Sequence, residues 1–189
     1  MRHHQFLGKK IRVAILSGYN GVNFCGSQKN EGIRSVEGEI EKALHDVGMI
    51  SDFNYGDLRK IGWGRATRTD KKVHALINTF SAKVLVSKKP TIKVEHAGED
   101  GTQMEEKPCS MEEHLDDLRQ KLNREALPED VKIFSLLPVS NRFNAKNCTS
   151  YREYSYFLPT FMLTAVKDLY LVTPPRKITE EEKREEETK

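Results

Sequence analysis

The apolar residues of this chain recur with a period that switches between strand-like and helix-like, and the order of those switches limits the folds open to it. Residues 10–16 alternate apolar and polar side chains and then turn fully apolar, the pattern of a strand. Asn20-Gly21 breaks that strand with a strong turn signal, and a glycine-bearing loop follows to residue 32. Val36, Ile40, Ala43, Leu44 and Val47 then fall at helical spacing on one face, with Ser35 as the cap and Gly48 as the C-terminal stop. Glu37, Glu39, Glu41 and Asp46 of this helix are expected to point mostly away from the core. Residues 61–66 and 75–86 read as two more strands, the second with Phe80, Ala82, Val84 and Val86 at spacing two. Ser110-Met111-Glu112-Glu113 is a capping box, and the helix it opens runs to about residue 124 with Leu115, Leu118 and Leu122 on its buried face. Residues 131–137 read as a strand, and 151–158 as a further one. The order strand, helix, strand, strand, helix, strand predicts an α+β fold: a ferredoxin-like antiparallel sheet with two helices on one face.

Between these elements, residues 87–108 are polar and without clear periodicity, and read as a mobile surface insertion. Thr173-Pro174-Pro175 ends the ordered pattern, and residues 180–189 carry 6 acids and 3 bases, the composition of a solvated tail. The expected organisation is an N-terminal extension over 1–9, a folded domain over 10–172 and a charged tail over 173–189. A chain of 189 residues can bury about 70% of its unfolded surface, so it needs no disulfide or metal to hold a core. Cys25, Cys109 and Cys148 are widely spaced, and neither they nor the six histidines form a metal-ligand pattern. No apolar run approaches the ~20 residues that span a membrane, and residues 1–7 lack a signal-peptide core. An intracellular protein is expected, with the nucleus ahead of the mitochondrion and cytoplasm.

The chemistry concentrates in Gly64-Arg65-Ala66-Thr67-Arg68-Thr69-Asp70-Lys71-Lys72-Val73-His74-Ala75. One carboxylate, Asp70, stands among Arg65, Arg68, Lys71 and Lys72, in a connection between two strands. Nearby cations favour an ionised acid, which suits a nucleophile or an electrostatic anchor better than a general acid. The same pattern also describes an ordinary salt-bridged turn. The wider charge distribution leans toward a phosphate-bearing partner: residues 1–90 hold 16 Lys and Arg against 8 Asp and Glu, while the remainder is net acidic. A second group, Arg142-Phe143-Asn144-Ala145-Lys146 followed by Tyr151-Arg152-Glu153-Tyr154-Ser155-Tyr156, would place Arg152, Tyr154 and Tyr156 on one face of a strand. A cation and two aromatic rings suit an unstacked base and its phosphates, and alternating tyrosines also simply cover sheet edges.

Arg68-Thr69-Asp70-Lys71-Lys72-Val73-His74 resembles the Arg-Thr-Asp-x-Gly-Val-His signature of tRNA pseudouridine synthases of the TruA type, closest to their eukaryotic branch. Arg142 to Lys146 followed by Arg152-x-Tyr154-x-Tyr156 resembles that family's second motif. Gly18-Tyr19-Asn20-Gly21 with Phe24, Gly26 and Gln28 more loosely resembles a third. The resemblance covers residues 10 to about 160 and implies one half of a pseudouridine synthase core. It implies Asp70 as the catalytic nucleophile or base, with no cofactor and no metal. Arg68 would steady the flipped nucleotide or fill its place, and Tyr154 would stack on the uracil. Arg65, Lys71, Lys72, Arg142 and Arg152 would meet phosphates, with Asn144 beside them in the second motif. The implied partner is RNA, tRNA first. The sequence departs from the family where Lys72 and Ile77 replace usual glycines, and a left-handed backbone at Lys72 would cost about 1–2 kcal/mol. The family's second half would begin near the end of this chain. The expectation is therefore a sheet face left bare, to be covered by a second copy or a protein partner. A non-catalytic RNA-binding protein derived from a synthase is the alternative.

Overall fold

The computed structural model describes residues 8–98 and 101–159. They divide into a compact unit ending at Ser150 and a second unit that begins at Tyr151. In the compact unit, β1 (Gly8–Tyr19), α1 (Val36–Asp46), β2 (Gly64–Arg65), β3 (Ala75–Ser87), β4 (Thr91–Gly98), β5 (Gly101–Pro108), α2 (Met111–Lys121), β6 (Val131–Val139) and the single-turn α3 (Ala145–Cys148) follow in sequence. A four-stranded sheet takes the order β2-β3-β1-β6, with every neighbouring pair antiparallel. Leaving aside the hairpin β4–β5, this is the ferredoxin-like order that the periodicity predicts.

Register explains which face is buried. Val13 pairs with Ala82 and Ile15 with Phe80, so all four side chains share one face of the sheet. They join Val36, Ile40, Ala43 and Leu44 of α1 and Leu115 of α2 in one buried cluster, which places both helices on that face. Burying each large apolar side chain contributes about 1.5–3 kcal/mol, so this layer is the main source of cohesion. Both helices start as the sequence predicts. The Ser35 side chain accepts from Gly38 N–H, and Ser110 with Glu113 forms a complete capping box. The helical run after α2 widens to a π-turn over Leu122–Ala126.

Four expectations are corrected. Within 87–108, where an irregular insertion was expected, Thr91–Gly98 pairs antiparallel with Gly101–Pro108 as β4 and β5. The strand expected over 61–66 is reduced to Gly64–Arg65, because a short 3₁₀ turn over Leu58–Ile61 occupies its start. The segment 151–159, expected as a strand over 151–158, has no regular secondary structure. Finally, Glu37 and Glu41 of α1 are fully buried, where an outward orientation was expected. Burial of a carboxylate is tolerable only with partners, and both have them. Glu41 accepts from Lys29 Nζ and from Gly56 N–H at 3.1 Å.

Among the described residues no helix is long and apolar enough to cross a membrane, and no cluster of three or more His, Cys, Asp or Glu could hold a metal ion.

Candidate active site

Asp70 stands in the connection between β2 and β3, at the end of the sheet where β1 finishes. Its backbone carbonyl accepts from Val73 N–H at 3.1 Å, closing a four-residue turn. Within this turn only Lys72 has positive φ, at 65°, the mark of a type II turn, which favours glycine at that third position. Glycine, which the family signature has at this position, is the residue such a backbone favours.

The loop is pinned from several directions. Ser27 N–H donates to Thr69 O at 3.0 Å, and Thr69 N–H donates back to Ser27 Oγ at 2.8 Å. Tyr19 hydroxyl and Thr69 Oγ1 share a hydrogen bond of 2.8 Å. Asn78 Nδ2 donates to Tyr19 hydroxyl at 3.2 Å and to Thr67 O at 3.1 Å. Lys72 N–H donates to Phe24 O at 3.2 Å. Tyr19, Ser27 and Asn78 are buried, so these bonds lie away from competing water. Two glycines permit the contact. A Cβ on Gly21 would lie 2.0 Å from Val73 O, and Gly26 combines φ of +108° with Thr69 O at 3.1 Å from any added Cβ. The loose third motif is therefore the clamp on the Asp70 loop.

The Asp70 side chain itself is exposed, as are Arg68, Lys71, Lys72 and His74 around it. A rigidly held backbone thus carries a solvent-accessible carboxylate within a ring of exposed cations. That arrangement can receive an anionic polymer and present an oxygen nucleophile to it.

Arg65 is placed differently. It pairs with Phe80 across the ladder and so lies on the helix face of the sheet. Its Nε and Nη2 both donate to the Glu37 carboxylate, the latter at 3.0 Å. Glu37 also accepts from Trp63 Nε1 at 3.0 Å and from Lys29 N–H at 3.0 Å. The sequence reading counted Arg65 among phosphate contacts; its guanidinium is directed inward and fastens β2 to α1 ahead of the Asp70 loop.

The second motif lies on the opposite sheet face. Arg142 is exposed, and the Asn144 side chain caps α3 by accepting from Lys146 N–H at 2.9 Å. Ala145 N–H donates to Ser81 Oγ at 3.2 Å, and Gly64 lies against both Ser81 and Asn144. The buried Arg12 joins these pieces: its guanidinium donates to Phe143 O, to Gly62 O at 3.0 Å and to Ser81 Oγ at 3.4 Å. The two motifs therefore meet across β2 although about 75 residues separate them. This cover also means that the second face is bare only in part. Ala14 and Ala145 are buried, whereas Leu76, Ile77, Phe134 and Leu137 remain exposed.

Arg152 and Tyr154 belong to the second unit, where both are exposed.

With this geometry in hand, comparison with known proteins is decisive. The chain is 34% identical over 158 residues to tRNA pseudouridine synthase 1 of Saccharomyces cerevisiae, covering 84% of this chain and 24% of that protein. It is 32% identical over 162 residues to the tRNA pseudouridine(27/28) synthase of the same yeast, covering 86% and 34%. Over this stretch the chain is similar to tRNA pseudouridine synthases. Against tRNA pseudouridine synthase 2 of Schizosaccharomyces pombe it is 30% identical over 158 residues, covering 84% and 30%. The chain thus spans about a quarter to a third of the length of the curated relatives it matches. No family profile matches it.

Within this segment, sequence reasoning missed the supports of the site: Tyr19, Ser27 and Asn78 under the Asp70 loop, Glu37 under Arg65, and Arg12 under the second motif. Tyr19 stood within a quoted motif, and the turn signal beside it was the available hint. Asn78 and Glu37 carried no local signal, because their partners lie 59 and 28 residues away.

Proposed function

We propose that this segment serves a pseudouridine synthase that isomerises uridine to pseudouridine in tRNA, with Asp70 as the catalytic nucleophile or base. The observation that carries the reading is the exposed Asp70 carboxylate on a loop pinned by Tyr19, Ser27 and Asn78 and ringed by exposed Arg68, Lys71 and Lys72. The names of the relatives support tRNA as the substrate. The reaction breaks the bond from ribose C1′ to uracil N1 and forms one from C1′ to C5; the C5 proton leaves and N1 gains one. A paired base cannot meet the carboxylate, so the uridine is flipped out. Arg68 steadies the flipped nucleotide or fills its place, and Tyr154 stacks on the uracil. Lys71, Lys72, Arg142 and Arg152 meet phosphates, which supplies affinity without reading sequence. Asn144 acts through its cap, holding Arg142 at the end of α3, and Arg65 acts through Glu37. The expected domain bounds of 10–172 and the charged tail over 173–189 run past residue 159 and so lie partly or wholly outside the described residues; the protein works inside the cell, in the nucleus first. Exposed Leu76, Ile77, Phe134 and Leu137 suit a covering partner, either a second copy or another protein surface.

The test is Asp70→Asn, which keeps size and removes the nucleophile. Tritium release from C5-labelled tRNA should stop while RNA affinity stays within about twofold. Retained turnover refutes the role of Asp70. If wild type and variant both bind tRNA without tritium release, the non-catalytic RNA-binding reading takes its place.

A further inference from the structure

A cavity of about 160 Å³ opens at the far end of the sheet from Asp70, lined by Lys10, Lys60 and Lys83 with Asn54 beside them. Its floor is apolar and includes the buried Met49 and Ile61. Lys10 faces Leu85 across the ladder and Arg12 faces Lys83, so Lys10 and Lys83 share the sheet face opposite the helices. Lys60 is held in place: its Nζ donates to Phe53 O at 2.7 Å and sits 4.4 Å from the centre of the Phe53 ring. No carboxylate lines the cavity. The nearby acids are turned elsewhere, Asp57 to Arg59 and Asp52 to His45. Among the described residues, no carboxylate neutralises Lys10 or Lys83. Three lysines line one small cavity with no carboxylate in its lining, and an anion seated there offsets the repulsion among like charges. The volume decides its size. Small-molecule sites run to about 300–1,000 Å³, so a whole cofactor does not fit, whereas a phosphate group does.

We propose that this cavity seats a backbone phosphate of the bound RNA, as a second anchor remote from the reacting uridine. The proposal rests on the RNA-binding reading above and extends it. Along β3, Ala75 beside the Asp70 loop and Lys83 at the cavity are eight residues apart, about 26 Å at strand rise. An RNA reaching both points must span that distance, and a stem-loop shorter than it, docked at Asp70, cannot touch the cavity. The lysines would thus favour an intact tRNA over a fragment carrying the same uridine.

The experiment uses the full chain with two probes, an unmodified tRNA transcript and a stem-loop shorter than that span, each bound across a salt series. The variants are Lys10→Ala/Lys83→Ala and, to restore charge, Lys10→Arg/Lys83→Arg. These side chains are exposed, and circular dichroism checks that both variants fold. Expected are about tenfold weaker transcript binding by the alanine variant, a salt slope lower by about 1, unchanged stem-loop binding, and recovery in the arginine variant. Equal transcript affinity and slope in wild type and alanine variant overturns the second anchor while leaving RNA binding at Asp70 standing. An equal loss with the stem-loop also overturns it, since that probe cannot reach the cavity. Wild type that binds neither probe fells the RNA reading and the anchor together.

Discussion

Replacing Lys72 by glycine isolates the conformational demand of the Asp70 turn. Lys72 has φ of 65°, a region in which an L side chain costs about 1–2 kcal/mol. Glycine removes that cost and gives back about 0.5–1 kcal/mol through the extra freedom of its unfolded chain. The side chain is exposed, so no packing is lost. The net gain is about 0.5–1 kcal/mol, which in a domain of this size raises Tm by about 1–4 °C. Lys72→Ala is the matched control, because alanine keeps the Cβ and its strain while removing the same charge. Thermal unfolding followed by circular dichroism on the three proteins should place glycine above alanine by about 0.5–1 kcal/mol. A glycine variant no more stable than the alanine variant refutes the strain argument. The charge itself is read separately: both variants should lower the salt slope of tRNA binding by about 1.

Tyr19→Phe removes a buried hydroxyl that bridges Thr69 and Asn78, and should cost about 1–2 kcal/mol by denaturant unfolding. If the Asp70 loop is positioned this way, the tritium-release kcat should fall several-fold with KM little changed. Arg12→Met removes a buried guanidinium that holds Phe143 O, Gly62 O and Ser81 Oγ, and should destabilise by about 2–4 kcal/mol, with faster amide exchange over residues 142–148. Unchanged exchange there would mean that the second motif docks without it. Glu113 is held below the usual carboxylate range by its hydrogen bond with the Ser110 backbone. A depressed folded value gives stability that is present above the unfolded value of about 4.3 and lost as pH falls through the folded one. Melting temperatures of wild type and Glu113→Ala should therefore differ at neutral pH and converge in acid; a gap that persists at low pH refutes the capping linkage.

The sequence by itself determined the elements whose signals are local. Ser35 and Ser110 cap their helices because a hydroxyl reaches an N–H three residues on, and that rule needs no distant partner. Strand β3 declares itself through Phe80, Ala82, Val84 and Val86, since alternation follows from the pleat. The order of these periods then leaves the ferredoxin-like sheet as the economical arrangement, and the glycine position in the signature pointed to the left-handed backbone that Lys72 adopts. The tertiary structure alone decided the rest. Arg65 turns inward because Glu37, on another element, is buried and needs a cation. Tyr19, Ser27 and Asn78 become the mounting of Asp70 because chain folding brings their polar atoms to the same loop. Arg12 reaches Phe143 across 131 residues. Residues 91–98 and 101–108 pair as strands because each satisfies the backbone of the other, although polar composition alone suggested an irregular insertion. Periodicity and capping are written in neighbouring residues; the pairing of buried polar groups depends on which distant segments meet, and no local pattern encodes it.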